Sequence, residues 1–230
     1  MSEPVETRAG AAEAVADCPH CGKPMPLCIC DGVTPIKNRI QLLILQHPQE
    51  QDRALGTARL TARHFKDSVV KIGLSWPSLS RALGRPVGDP SRWAVLYLGS
   101  ARPAALGDPR EVIALDRHGE PVADQEAMLR GLGGVVVLDG TWKEAKTLWW
   151  RNPWLLKLRR LVLNPQRRSR YGRIRREPRR EALSTLEAVA LLLKYVDGGP
   201  EVEARLMDAL DRLIAEARPS REPEGERVSK

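Results

Sequence analysis

The chain has 230 residues, 42% of them hydrophobic, which is enough for one sizeable core and a small accessory module and too little for two full domains. Its formal net charge of +8 biases its partners toward polyanions, nucleic acid first. No apolar run reaches the length of a membrane span, so no membrane partner is expected.

The opening stretch MSEPVETRAGAAEAVAD carries Glu3, Glu6, Glu13 and Asp17 and lacks the apolar core of a signal peptide. A disordered tail over residues 1–17 of a cytoplasmic protein is the expectation, and in that compartment clustered cysteines point to metal before disulfide. All four cysteines follow at once, in CPHCGKPMPLCIC. Cys18 and Cys21 form a C-x-x-C pair, and Cys28 and Cys30 return after a six-residue loop. Four thiolates in this spacing suit tetrahedral Zn²⁺, so residues 18–32 read as a zinc-binding knuckle. A closed four-cysteine shell leaves no position for catalysis, so this zinc is expected to be structural, with direct RNA contact by the knuckle as the functional addition. His20, between two ligands, is expected at the surface.

Residues 38–218 then read as one domain of alternating strands and helices. Short apolar or β-branched runs at 40–45, 69–74, 93–98, 112–115 and 135–138 predict strands buried on both faces, as in a mixed or mostly parallel sheet covered by helices. Apolar residues spaced at three and four predict helices over 54–65, 142–150, 184–195 and 201–217. The Gly/Pro-rich stretches 77–92 and 99–110 read as loops, and residues 219–230 as a solvated, disordered tail. The fold class is α/β.

In VVVLDGTWKEAK, Asp139 falls at the carboxyl end of the strand 135–138. Gly140 allows a sharp turn, and Thr141-x-x-Glu144 is a capping box that opens the next helix. In open α/β sheets the crevice beyond the strand carboxyl ends is where ligands bind. Asp139 is therefore either a functional carboxylate or the anchor of a loop-ordering Asx turn. A second capping box, Ser184-x-x-Glu187, heads a later helix, and two such N-termini can rim a site for a carboxylate or phosphate. His47 sits at the end of the first strand, as a hydrogen-bonded structural residue or as a ligand contact. Trp142, Ala145 and Trp149 share a helical face, which packs a core or, at Trp142, walls a pocket.

Between Arg167 and Arg180, eight arginines stand against the single acid Glu177. Arginine pairs bidentately with phosphate and an interleaved tyrosine can stack on an unpaired base, so Arg167, Arg168, Arg170, Tyr171, Arg173, Arg175 and Arg176 are the candidate RNA-binding set. The alternative is a solvated loop without a partner.

These residues carry a resemblance. Asp139-Gly140-Thr141-Trp142, the N-terminal C-x-x-C…C-x-C, LLILQHPQE with LGTARL behind it, and the S-T-L-E segment together resemble the DTW-domain family. The resemblance implies a SPOUT-like fold, in which the C-terminal part of the sheet can be knotted around the cofactor. It also implies a tRNA-uridine aminocarboxypropyltransferase, which moves the 3-amino-3-carboxypropyl group of S-adenosylmethionine to N3 of a uridine and releases methylthioadenosine. With that reaction, Asp139 is the catalytic candidate, as the base for the N3 proton or as the group that orients the uracil; His47, Glu50 and Thr57 match the family segment as pocket residues, and Thr141, Trp142, Ser184 and Glu187, at the two helix starts, complete the candidates around the cofactor. A SPOUT-type RNA methyltransferase and a non-catalytic zinc-knuckle RNA-binding protein are the alternatives.

Overall fold

The computed structural model describes residues 16–97, 99, 107–171 and 183–218. In chain order its strands are β1 (Gln41–Gln46), β2 (Ser68–Ile72), β3 (Trp93–Leu96), β4 (Val112–Leu115), β5 (Gly134–Asp139) and β6 (Arg159–Leu163). The helices are α1 (Ala58–Arg63), α2 (Leu79–Leu83), α3 (Gln125–Arg130), α4 (Trp142–Arg151), α5 (Thr185–Val196) and α6 (Gly199–Glu216). The six strands form one sheet in the order β2-β1-β5-β3-β6-β4. All pairings are parallel except that of β4 with β6 at one edge. No helix among the described residues is long and apolar enough to cross a membrane.

The continuous apolar runs do what a doubly covered sheet demands. Leu42, Ile44, Val135 and Val137 face one layer, where they join α1, α5 and α6; Leu43, Leu45 and Val136 face the other, where α2 and α4 pack with Trp93, Trp149 and Trp154. Ile29 and Val33 of the cysteine segment belong to the first of these clusters, so the knuckle is packed on the domain. β2 is an edge strand, with all five residues only partly buried.

Three helices and a strand differ from expectation; one of the helices, α3, falls where no helix was expected. The helix expected over 54–65 is α1 alone, beginning after Thr57. The reason is competition for carbonyls: those of Ala54 and Gly56 each accept from Lys23 Nζ at 2.6 Å, and that of Leu55 accepts from Tyr171 Oη at 2.6 Å. These are the acceptors that an earlier helical start would need. The stretch 77–92, expected as a loop, contains α2, whose N-cap Ser78 accepts from Arg81 N. β6 was hidden because RRLVL opens with two charges, yet it sits between β3 and β4.

The start of β1 is tied to the end of α5. Asp197 Oδ2 accepts from Arg39 N at 2.6 Å and Ile40 N at 2.8 Å, across 158 and 157 residues of chain. Asp197→Ala removes two charge-assisted bonds and is expected to cost about 1.5–3 kcal/mol, read as a lower urea midpoint with an unchanged slope.

Candidate active site and metal centre

Gln46 and Asp139 are register partners at the carboxyl ends of the parallel pair β1–β5, so their side chains leave the sheet together. Gln46 Nε2 donates to Asp139 Oδ2 at 2.9 Å, and Thr185 Oγ1, in the first turn of α5, donates to Asp139 Oδ1. His47 N closes the arrangement by donating to the Asp139 carbonyl at 2.9 Å. Asp139 is 8% exposed and Gln46 2%. Because the amide nitrogen of Gln46 faces a carboxylate, its Oε1 must face away, and that buried oxygen accepts no hydrogen bond among the described residues. A buried acceptor left open beside a carboxylate fits a ligand that brings an N–H.

The turn after Asp139 is tight. A Cβ on Gly140 would stand 2.8 Å from Glu144 Cβ, so glycine is what lets the strand pass directly over the head of α4. The expected capping box is present: Thr141 N donates to Glu144 Oε2 at 2.6 Å and Glu144 N to Thr141 Oγ1 at 3.4 Å. Burial pushes the Glu144 carboxyl up, but the Thr141 hydrogen bonds, with Glu50 and His47 close by, outweigh it and hold the group below the usual glutamate value. His47 Nδ1 lies 3.9 Å from Glu144 Oε1 and accepts from Gln49 N at 3.3 Å, which places the proton of a neutral ring on Nε2 as a donor. Glu50, 3% exposed, is paired through Oε1 with Arg53 Nε at 2.7 Å. Trp142 is half-buried in the first turn of α4.

The second capping box lies at the same end of the sheet, joined to it by the Thr185–Asp139 contact. Its members are occupied. Glu187 Oε2 accepts from Ser184 N, Ser184 Oγ and Ser169 Oγ, and Oε1 from Arg170 N at 2.7 Å. Ser184 and Glu187 thus spend their polar atoms on the helix start and on pinning residues 169 and 170. Thr57 does similar work, accepting from Leu186 N at 3.2 Å. Of the residues singled out from the sequence, Asp139, His47, Thr141 and Glu144 are brought together. Gln46 and Thr185 were missed. Their only signal was position: a polar residue ending an otherwise apolar strand, and a hydroxyl inside the S-T-L-E segment.

The arginine segment is described only as far as Tyr171; Arg173, Arg175 and Arg176 lie outside the described residues. Arg167, Arg168 and Arg170 are exposed, and Arg170 is paired with Asp211. Tyr171 departs from expectation. At 1% exposure its ring belongs to the main core, with its hydroxyl on Leu55, so it does not present a face for a base here. The segment needed an anchor, and the one aromatic within it serves as that anchor.

At the N-terminus the four sulfur atoms of Cys18, Cys21, Cys28 and Cys30 lie within 4.8 Å of one another, and three of the four residues are buried. The donor set fits a tetrahedral thiolate-bound Zn²⁺. A hydrogen bond from the Cys21 backbone leads in drawing the Cys18 thiol down to about 7, whereas burial pushes Cys21 and Cys30 up. Lys23, 1% exposed, reaches from this knuckle to the 54–56 turn, and burial pushes its ammonium down to about 8 against the upward pull of the neighbouring cysteines.

A family model for the DTW domain matches residues 15–218. The chain belongs to the DTW-domain family. Among similar proteins are those named tRNA-uridine aminocarboxypropyltransferase 2 from Mus musculus (28% identical, 89% of this chain and 64% of that protein) and Macaca fascicularis (27%, 86% and 62%). The protein of that name from Drosophila melanogaster is 30% identical over 85% of this chain and 72% of its own length. The chain thus spans somewhat under two thirds of the mammalian relatives. No solved structure gives a significant match.

The purified protein is expected to carry about one Zn²⁺ per chain by elemental analysis, and Cys21→Ser to lose it together with thermal stability, because binding energy at such a site is folding energy. Metal-free protein with an unchanged melting temperature refutes the assignment.

Proposed function

We propose that this protein transfers the 3-amino-3-carboxypropyl group of S-adenosylmethionine to N3 of a tRNA uridine. The observation that carries the reading is the pairing of Asp139 with an open, buried Gln46 Oε1 at the strand ends, in a chain of the DTW-domain family whose relatives bear the transferase name. S-adenosylmethionine, when bound, supplies an alkyl carbon activated by its sulfonium and departs as methylthioadenosine.

The chain's task is then to position reactants and to manage one proton. Both Asp139 oxygens accept protein hydrogen bonds, and a carboxylate offers about four lone-pair sites in all. In this reading Asp139 accepts the uracil N3–H, and takes its proton as the new N3–C bond forms and the C–S pair leaves with sulfur. Gln46 Oε1 supplies an acceptor for an amino group, and His47 Nε2–H a donor for a carboxylate or carbonyl. The α4 and α5 N-termini favour negative charge at the same end of the sheet. The four cysteines would hold a structural Zn²⁺ with no open ligand position, which would take no part in this step. In the same reading Arg167 and Arg168, exposed beside the residues that Glu187 holds, meet phosphates of the RNA.

Asp139→Asn tests the assignment sharply. The amide is isosteric, and a flip of the Gln46 side chain would restore a hydrogen bond between the two, so folding should survive. Transfer is expected to fall at least about a hundredfold, the usual worth of a positioned base. Near-wild-type turnover would leave Asp139 as a loop anchor only. Mass spectrometry of nucleosides from tRNA incubated with the cofactor should find one added aminocarboxypropyl group. A methylated uridine would overturn the reaction, and absence of cofactor binding would overturn the enzyme.

A further inference from the structure

Between the knuckle and α1 lies an open groove of about 530 Å³. It is lined by His20, Arg59, Arg63, Lys66, Phe65 and Val70 among others, and no carboxylate of the described residues lines it. Arg63 is half-buried, and its Nε is buried with no hydrogen-bond partner among the described residues. Arg59 is laid against the knuckle turn, with Nη1 2.5 Å from where a Cβ on Gly22 would stand. Arg205, donating to the Thr34 carbonyl, and Arg212, against Gly32, add to the same side. The charge registers behind the groove: His64 is pushed below its ordinary value by burial first and then by Arg205, Arg63 and Arg212.

Collecting cations around one cavity costs repulsion, and burying a guanidinium N–H without an acceptor costs more. The repulsion is offset when an anion enters. We propose that this groove is a phosphate-binding site that holds the backbone of the RNA substrate on the knuckle side, separate from the arginine segment. The inference rests on the reading of tRNA as substrate. Three features favour a polynucleotide over a free nucleotide. The groove is open, and its phenyl ring, that of Phe65, is 5% exposed and offers no face for a base. The geometry also leads to the reaction site. α1 runs from Arg63 back to Ala58, and its N-cap Thr57, six residues or about 9 Å from Arg63, contacts α5 beside Asp139. The third is continuity: Lys23 of the knuckle and Tyr171 of the arginine segment grip the same 54–56 turn, so the groove and that segment flank one structural unit.

The test uses the full chain and measures tRNA binding against KCl concentration. For Arg63→Gln with Lys66→Gln, the slope of log affinity on log salt should fall by about 1.4–1.8, two contacts at about 0.7–0.9 each, with S-adenosylmethionine affinity unchanged. Lys66→Gln alone, at an exposed position, should remove about half of that with an unchanged melting temperature. The loss should add to that of Arg167→Gln with Arg168→Gln. If the wild type binds and modifies tRNA and both groove variants keep its slope, the groove proposal fails and the transferase reading stands. Inorganic phosphate that raises the melting temperature of the wild type alone, with the tRNA slope unaltered, assigns the groove to a free anion and also overturns it. A wild type with no tRNA affinity overturns both.

Discussion

A carboxylate at the end of a buried parallel strand is outside the ladder and nearly outside water, so it holds its place only if donors come to it. Asp139 draws them from β1, 93 residues earlier, and from α5, 46 residues later. Two central strands and α5 therefore meet at one carboxyl side chain. Around that point the rest of the site is arranged: the tight passage at Gly140, the head of α4, the open oxygen of Gln46 and the imidazole of His47. A buried polar group with satisfied partners specifies geometry more sharply than apolar packing does, because each bond has a direction. The site's precision is in this sense a property of the fold's centre.

The second organising unit is the 54–56 turn. Three successive carbonyls are taken by two side chains, one from the knuckle and one from the arginine segment, and the helix that follows starts late as a result. Lys23 binds the N-terminal module to the domain by hydrogen bonds as well as by the shared cluster of Ile29 and Val33. A zinc ion there would stabilise residues that lie well away from it in sequence, and the turn it steadies leads directly into Thr57 and the base of α5.

Much of the architecture was legible because its signals are local and strong. Continuous β-branched runs marked five strands, two capping boxes marked two helices at their first residues, and cysteine spacing marked the knuckle. What escaped was set by distant partners. β6 begins with Arg159 and Arg160, and only its neighbours β3 and β4 make RRLVL a strand. Tyr171 sits in a strongly basic segment that reads as surface, yet a carbonyl at Leu55 and the core behind it claim the ring. Gln46 and Thr185 gain their meaning only from register and from a helix docking. Thr57, Ser184 and Glu187 were expected around a ligand, but no sequence pattern tells a ligand contact from a side chain spent on the backbone, as these are.

The exposed edge of the sheet has a consequence for the behaviour of the protein in a crowded solution. β2 is an edge strand whose residues are only partly buried, the kind of edge on which a second chain can add a strand. Lys66 precedes it, Lys71 lies within it and the cationic groove runs alongside, so two copies approaching edge to edge bring like charges together. The cations that favour a polyanion thereby also discourage self-association. Their effect weakens as salt screens them, which ties the colloidal stability of this chain to ionic strength.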